Sequence, residues 1–120
     1  MHIAAKIIVG LIAFIHIYIM WFEMFAWESR GKKVFRGFPD EAYPLLKVPM
    51  ANQGLYNGFL AAGLIWSLII ADVTWQKNVA IFFLACVAVA GLYGAFSVAR
   101  KILYVQTIPA TIGILLILFL

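Results

Sequence analysis

The sequence predicts an all-α integral membrane protein, a bundle of four transmembrane helices in a single domain that covers residues 1–120. Hydrophobic residues make up 66% of the chain, charged residues only 12%, and the mean hydropathy is +1.03. The charged share is about half that of an ordinary soluble domain. A soluble domain of this length buries only about two-thirds of its unfolded surface, which is too little to cover so much apolar side chain. Disorder is excluded as well, because it requires low hydrophobicity and high charge.

Four apolar segments carry this prediction. Each is close to the ~20 residues that a helix needs to cross the hydrocarbon core of a bilayer. We expect helices at residues 3–27, 51–71, 79–99 and 102–120, with a polar loop at 28–50. The first helix is expected to be retained, because it is longer than the core of a secretory signal and no cleavage site follows it.

Prolines predict two irregular places in the bundle, one in the 28–50 loop and one in the fourth helix. In the 28–50 loop, Pro39-Asp40-Glu41 is expected to open one short helix, because proline and acidic residues favour a first helical turn. In the fourth helix, Pro109 cannot donate a hydrogen bond to the carbonyl of Val105, which predicts a kink.

Positive charges are concentrated on one side of the predicted bundle. Lys6 and Lys77 lie on one side, and the other side holds the remaining seven: Arg30, Lys32, Lys33, Arg36, Lys47, Arg100 and Lys101. The positive-inside rule then places the first and third loops in the cytoplasm and both termini outside. The net charge of +4 favours anionic lipid headgroups, rather than nucleic acid, as the partner of the 28–50 loop.

Every helix carries polar residues near its predicted cytoplasmic end. Glu23 is expected about 6 Å inside the boundary, and His16 lies on the same helix face seven residues earlier. Because polar groups within a bilayer are costly unless they are satisfied, we predict a cytoplasm-facing pocket with Glu23 as its acid. The alternative is a set of separate interfacial residues that bind water or headgroups. The predicted pocket residues are His16, Glu23, Asn52, Gln53, Tyr56, Asn57, Tyr93 and Gln106.

No metal or cofactor is predicted at this pocket. A metal ion shared by His16 and Glu23 is disfavoured, because seven helical residues span about 10 Å and metal–ligand bonds are ~2 Å long. A proton relay between them would need a bridging water or side chain and stays open. The chain has no G-x-S-x-G, C-x-x-C or H-E-x-x-H motif, so the sequence leaves enzymatic activity undecided.

Small residues predict close packing between helices. Gly54 and Gly58 form a G-x-x-x-G pair on the second predicted helix, and Gly91 and Gly94 lie on the third. Small residues let helix backbones approach closely in lipid. We therefore expect these two helices to pack together, with a homodimer face as the alternative.

Four blocks of the chain resemble a known family. They are Glu23-Met24-Phe25-Ala26-Trp27, the stretch NQGLYNGFLAAG at 52–63, AGLYG at 90–94, and KILYVQ at 101–106 with Pro109-Ala110. The chain resembles domain-of-unknown-function family 1304, a family of short bacterial integral membrane proteins. The resemblance implies a four-helix protein of the bacterial cytoplasmic membrane, and it implies no activity.

Three functions are compatible with these features. The first is binding or transport of a small polar or cationic molecule at Glu23, where a transporter would be a dimer or larger because four helices enclose little volume. The second is an integral membrane enzyme that acts on a lipid-soluble substrate, with Glu23 as general acid or base beside His16 or Tyr93. The third is an accessory subunit that binds another membrane protein through its small-residue faces.

Overall fold

The computed structural model describes all 120 residues, and it consists of helices joined by short connections. The α-helices are α1 (Ile3–Phe25), α2 (Lys32–Val34), α3 (Ala42–Ile69), α4 (Val73–Ser97) and α5 (Ile108–Phe119). Two π-helical turns, Trp27–Gly31 and Leu103–Thr107, precede α2 and α5. No strand is present, and the predicted all-α class is confirmed.

Two of the helices have the length and the apolar composition that crossing a membrane requires. They are α1, with 23 residues, and α4, with 25 residues. At 28 residues α3 is longer still, but Asn52, Gln53 and Asn57 interrupt its apolar sequence. The last apolar helix, Leu103–Phe119, is shorter.

The long helices pack as an antiparallel bundle, in which α1 and α4 each lie against both α3 and α5. One buried apolar cluster joins all four helices, and the α1 residues in it come from the half of that helix that is remote from Glu23. They are Ala5, Val9, Ile12, Ala13, Leu64, Ala80, Leu84, Val87, Ala110 and Ile117. The polar end of the bundle therefore lies outside the main apolar core.

The helix expected at 51–71 begins nine residues earlier, at Ala42. The segment Pro39-Asp40-Glu41, expected to open a short helix, instead leads directly into α3. Pro44 lies in the first turn of α3, where a missing N–H costs no helical hydrogen bond. Pro49 lies inside the helix and is exposed, so only one hydrogen bond is lost and its ring meets no packed neighbour.

Near Pro109 the helix widens instead of stopping. The backbone N–H of Ile108 donates to the carbonyl of Leu103, five residues earlier, and this closes the π-helical turn Leu103–Thr107. A π-helical turn of this kind occurs where the regular α-helical hydrogen bonds, each four residues long, are interrupted. Pro109 follows this turn, in the first turn of α5.

Candidate functional site

A buried carboxyl–amide pair joins α1 to α3. Glu23, in the last turn of α1, is 3% exposed, and Asn57 of α3 is 7% exposed. The Nδ2 atom of Asn57 donates a hydrogen bond of 2.7 Å to Oε1 of Glu23. The same nitrogen lies 3.3 Å from the carbonyl oxygen of Gln53, one turn earlier in α3. The amide is therefore held by its own helix while it binds the carboxyl group of the other.

Two glycines allow the helices to approach at this pair. A Cβ atom on Gly54 would lie 2.8 Å from Cγ of Met24 and 2.9 Å from Cβ of Glu23. A Cβ atom on Gly58 would lie 2.6 Å from Sδ of Met20. Close packing of the G-x-x-x-G pair inside the chain is therefore found. Its partner is α1, whereas we expected the helix that is now α4.

The second carboxylate oxygen of Glu23 has no protein donor. The only hydrogen bond to this side chain comes from Asn57 and ends on Oε1. The only fully buried side-chain nitrogen or oxygen without a partner is Nε2 of His16, so Oε2 of Glu23 retains some contact with the exterior. A carboxylate offers about four lone-pair positions, of which the protein fills one. The arrangement can accept further N–H or O–H donors at Oε2.

The structure places the other predicted pocket residues apart from this pair. Asn52, Gln53 and Tyr56 are exposed on α3, with Tyr56 55% exposed. Tyr93 of α4 is 75% exposed. Gln106 is half-buried in the π-helical turn, where its Cβ lies close to Gly91. None of these side chains shares a hydrogen bond with Glu23.

His16 is fully buried and is not joined to Glu23 by hydrogen bonds. Its Nδ1 atom lies 2.8 Å from the carbonyl oxygen of Ile12, which makes Nδ1 the donor and leaves Nε2 as an unpartnered acceptor. No group of three or more His, Cys, Asp or Glu side chains comes together anywhere in the chain. The bridging group that a relay would need is thus not a protein side chain hydrogen-bonded to His16.

An aromatic cluster covers the end of the bundle next to Glu23. Trp27 donates from Nε1 to the carbonyl oxygen of Tyr43 at 3.0 Å, and the Tyr43 hydroxyl donates to the carbonyl oxygen of Phe35. Phe38 completes the cluster, with its ring centroid 5.8 Å from that of Tyr43. Phe35, Phe38 and Tyr43 all come from the 28–50 segment, which was expected to be a polar loop. The π-helical turn Trp27–Gly31 separates Trp27 from these residues in the chain, and no motif in the sequence predicts that the four rings meet.

Two cavities adjoin this aromatic cluster. One, of about 320 Å³, is lined by residues 24–29 and Lys47. The other, of about 400 Å³, lies between residues 35–38 and the segment that follows α4. Glu23 lines neither, although the first begins at the next residue along the chain.

Fold and site together describe an all-α protein with two helices of membrane-crossing length and a carboxyl–amide pair buried between α1 and α3. The family model described as "Protein of unknown function (DUF1304)" matches residues 10–118, so the chain belongs to that family, as its sequence blocks predicted. Uncharacterized protein YpaA of Lactococcus lactis subsp. lactis (strain IL1403) is 30% identical over 98 residues, which cover 80% of this chain and 81% of YpaA. No solved structure matches the chain significantly.

Proposed function

We propose that the chain is a multi-pass protein of a bacterial cytoplasmic membrane in which α1, α3, α4 and α5 all span the bilayer. Large apolar side chains face outward on each of these helices: Phe14 is 71% exposed, Ile69 76%, Phe82 61% and Leu118 59%. Contiguous exposed apolar surface on every side suits contact with lipid rather than water. The long dimension of the molecule, 49 Å, is close to the ~40–45 Å thickness of a bilayer with its headgroups.

The orientation proposed is the one given by the positive charges, with both termini outside and the 28–50 segment in the cytoplasm. Reporter fusions at Leu120 test this topology. We expect a periplasmic reporter such as alkaline phosphatase to be active there and a cytoplasmic reporter to be inactive. The reverse pattern would overturn the orientation.

Within this membrane protein, we propose that Glu23 binds the cationic group of a small molecule that enters from the cytoplasmic side. The observation that carries the proposal is the buried carboxyl group with one protein hydrogen bond and a free second oxygen. Ionisable groups within membrane helices are costly and commonly belong to ligand or ion pathways. A cationic N–H donor at Oε2 would supply both the missing hydrogen bond and the counter-charge.

The surroundings of Glu23 favour a small ligand. Asn57 fixes one oxygen of the carboxyl group, and Gly54 holds the α3 backbone against it, so there is little room beside Oε1. The nearby cavity of about 320 Å³ is lined by residues 24–29 and Lys47, and it begins at the residue that follows Glu23 in the chain. A pocket of this volume is at the lower end of the range for small-molecule sites.

Binding of a charged probe and of its neutral analogue tests the proposal. We would measure methylguanidinium and N-methylurea by ligand-observed NMR on the protein in lipid nanodiscs. The wild-type protein should prefer methylguanidinium by about tenfold or more, as expected for one charge-assisted hydrogen bond. Glu23→Gln should abolish that preference, because the amide keeps the shape of the side chain without its charge.

Glu41→Gln is the matched control, since it removes an equal charge from an exposed acid of the 28–50 segment that lines neither cavity. This variant should retain the preference for the cation. Equal preference in the wild type and Glu23→Gln would overturn the proposal. Uptake of methylguanidinium into vesicles, present in the wild type and absent in Glu23→Gln, would extend binding to transport.

A further inference from the structure

We propose that the cavity of about 400 Å³ beside the aromatic cluster binds a phosphate group, supplied by the headgroup of an anionic phospholipid. One wall is formed by residues 35–38 and the other by residues 97–99 with Lys101. The two walls come from parts of the chain about 60 residues apart, so the cavity exists only in the folded protein. Its volume falls within the range of small-molecule sites. This site is separate from Glu23 and does not depend on the function proposed for that residue.

The charged residues of the cavity are all positive. Arg36 and Lys101 line it, and no acidic residue does. The acid nearest in sequence to the 35–38 wall, Asp40, does not line the cavity, and its carboxylate forms an exposed ion pair of 3.0 Å with the ammonium group of Lys32. The cavity therefore presents two cations to an anionic ligand.

Both cations are held in place with donors to spare. Arg36 donates from Nε to the carbonyl oxygen of Lys33 at 3.0 Å, which fixes the guanidinium and leaves its two terminal nitrogens free. Lys101 donates from Nζ to the carbonyl oxygen of Val34 and lies 5.2 Å from the centroid of the Phe35 ring. An ammonium group has three donors, so two remain for a ligand. The planar guanidinium matches two phosphate oxygens at once.

The aromatic cluster gives the cavity a firm wall. The rings of Phe35 and Phe38 lie 6.3 and 6.5 Å from the ring of Trp27, measured between centroids. Trp27 and Tyr43 are buried, and both are anchored by hydrogen bonds to backbone carbonyls. A wall that is already ordered lowers the entropy cost of binding.

The surface next to the cavity favours a lipid over free phosphate. Phe96, one residue before the second wall, is 91% exposed, and Val98 in that wall is 56% exposed. Apolar side chains beside two cations match a headgroup phosphate attached to acyl chains. A free phosphate ion would use the cations alone.

Native mass spectrometry of the protein released from nanodiscs tests this site. The nanodiscs would contain phosphatidylcholine and phosphatidylglycerol in equal amounts. We expect one phosphatidylglycerol to be retained by the wild type. The double variant Arg36→Gln/Lys101→Gln should reduce that retention about tenfold or more, through loss of charge-assisted hydrogen bonds.

The double variant Lys33→Gln/Lys47→Gln is the matched control. It removes two positive charges from the 28–50 segment, on the same predicted side of the membrane as Arg36 and Lys101, and neither residue lines the cavity. An equal loss of phosphatidylglycerol in this control would overturn the proposal, because binding would then reflect the general charge of the surface. Arg36→Lys should also weaken retention, since lysine cannot bind two phosphate oxygens in the fixed geometry of arginine.

A fourth variant blocks the cavity without changing its charge. A Cβ atom on Gly37 would meet no atom within 4 Å, so Gly37→Leu can place its side chain in open space at the wall without disturbing the fold. It should lower retention of phosphatidylglycerol while the thermal unfolding temperature stays unchanged. Unaltered retention would contradict a ligand seated in this cavity. Titration with inorganic phosphate at millimolar concentration tells whether the site binds a lipid headgroup or a free phosphate ion. Complete displacement of the lipid by phosphate would overturn the assignment to a lipid.

Discussion

Two of the helix contacts in this bundle pack glycines against a neighbouring segment, and they differ in the hydrogen bond that accompanies the packing. In the α1–α3 contact, Gly54 lies against Glu23 and Met24, and the closing hydrogen bond joins two side chains, Asn57 and Glu23. In the α4–α5 contact, between α4 and the π-helical turn before α5, Gly91 lies against Thr107 and Gln106.

There the hydroxyl of Thr107 donates to the backbone carbonyl of Ala88 at 3.0 Å. A hydroxyl that returns its hydrogen bond to a backbone carbonyl leaves no charge at the interface. The carboxyl group in the α1–α3 contact leaves an acceptor that the protein does not fill. The same close approach of two helices is thus accompanied by a hydrogen bond to the backbone in one contact, and by a carboxyl group with an unfilled acceptor in the other.

The largest effect is expected from Gly91→Ala. The added Cβ would lie against Oγ1 of Thr107 and 2.8 Å from its backbone nitrogen, and a backbone atom cannot turn aside as a side chain can. We expect the free energy of unfolding to fall by about 1–3 kcal/mol, the usual cost of overpacking. Reversible unfolding in mixed micelles, followed by circular dichroism, measures it.

Gly94→Ala is the control, one turn further along the same helix. Its Cβ would meet only the side chain of Ile102, at 3.2 Å and beyond, and that side chain can move. Alanine also favours helix over glycine by about 1 kcal/mol. Gly94→Ala should be neutral or stabilising, and an equal loss in both variants would mean that the contact with Thr107 is not special.

The next largest effect is expected from Asn57→Leu. The substitution leaves Oε1 of Glu23 buried without a donor, and the free energy of unfolding should fall by about 1–2 kcal/mol. Replacing both partners, in Glu23→Leu/Asn57→Leu, should recover most of the loss because no unpaired polar atom remains. The same unfolding assay measures both variants.

Gln53→Leu serves as the matched control for that prediction. This amide lies one turn earlier on α3, but it is exposed and its side chain does not contact Glu23 by a hydrogen bond. It should change the free energy of unfolding little. A cost as large as that of Asn57→Leu would show that the Glu23–Asn57 hydrogen bond is not what stabilises the contact.

Helical periodicity identified the residues of the α1–α3 contact, but it did not show that α1 is the helix that packs against the glycines of α3. The polar residues Glu23 and Asn57, together with Gly54 and Gly58, were all identified from spacing and depth. Spacing shows which residues share a face of a helix and does not show which helix covers that face. The glycine pair was therefore expected against α4, whereas it packs on α1.

Depth alone also could not tell which polar residues meet. Tyr93 lies at the same predicted level as Glu23, but it follows Gly91 by two residues, about 200° around the helix. Because Gly91 and Gly94 turn towards the segment before α5, Tyr93 points outward and is 75% exposed. The distance from the helix end determines the depth of a residue in the bundle. Whether its side chain points inward depends on which neighbouring helix covers that face.

The start of α3 illustrates a different limit. Three prolines at 39, 44 and 49 read as a loop, because proline usually interrupts a helix. In the structure Pro44 falls within the first helical turn, and Pro49 is exposed. Tyr43, which accepts a hydrogen bond from Trp27 and donates one to Phe35, also ties the first turn of α3 to the end of α1 and to the segment that follows it. That tertiary support has no local sequence signal.

The smallest effect is expected from Thr107→Val, which compares the two contacts directly. The variant keeps the shape of the side chain and removes the hydroxyl that donates to the carbonyl oxygen of Ala88. The carbonyl of Ala88 keeps its own helical N–H partner, so no acceptor is left without a donor. We expect the free energy of unfolding to fall by about 0.6 kcal/mol, the average for interhelical hydrogen bonds in membranes.

Thr111→Val is the control, because the hydroxyl of Thr111 is exposed and bonds only to its own helix, at the carbonyl oxygen of Thr107. If Thr107→Val lowered the free energy of unfolding as much as Asn57→Leu does, the hydrogen bond to a backbone carbonyl would matter as much as the hydrogen bond to Glu23. The carboxyl group that Asn57→Leu leaves without a donor would then not explain the difference between the two contacts.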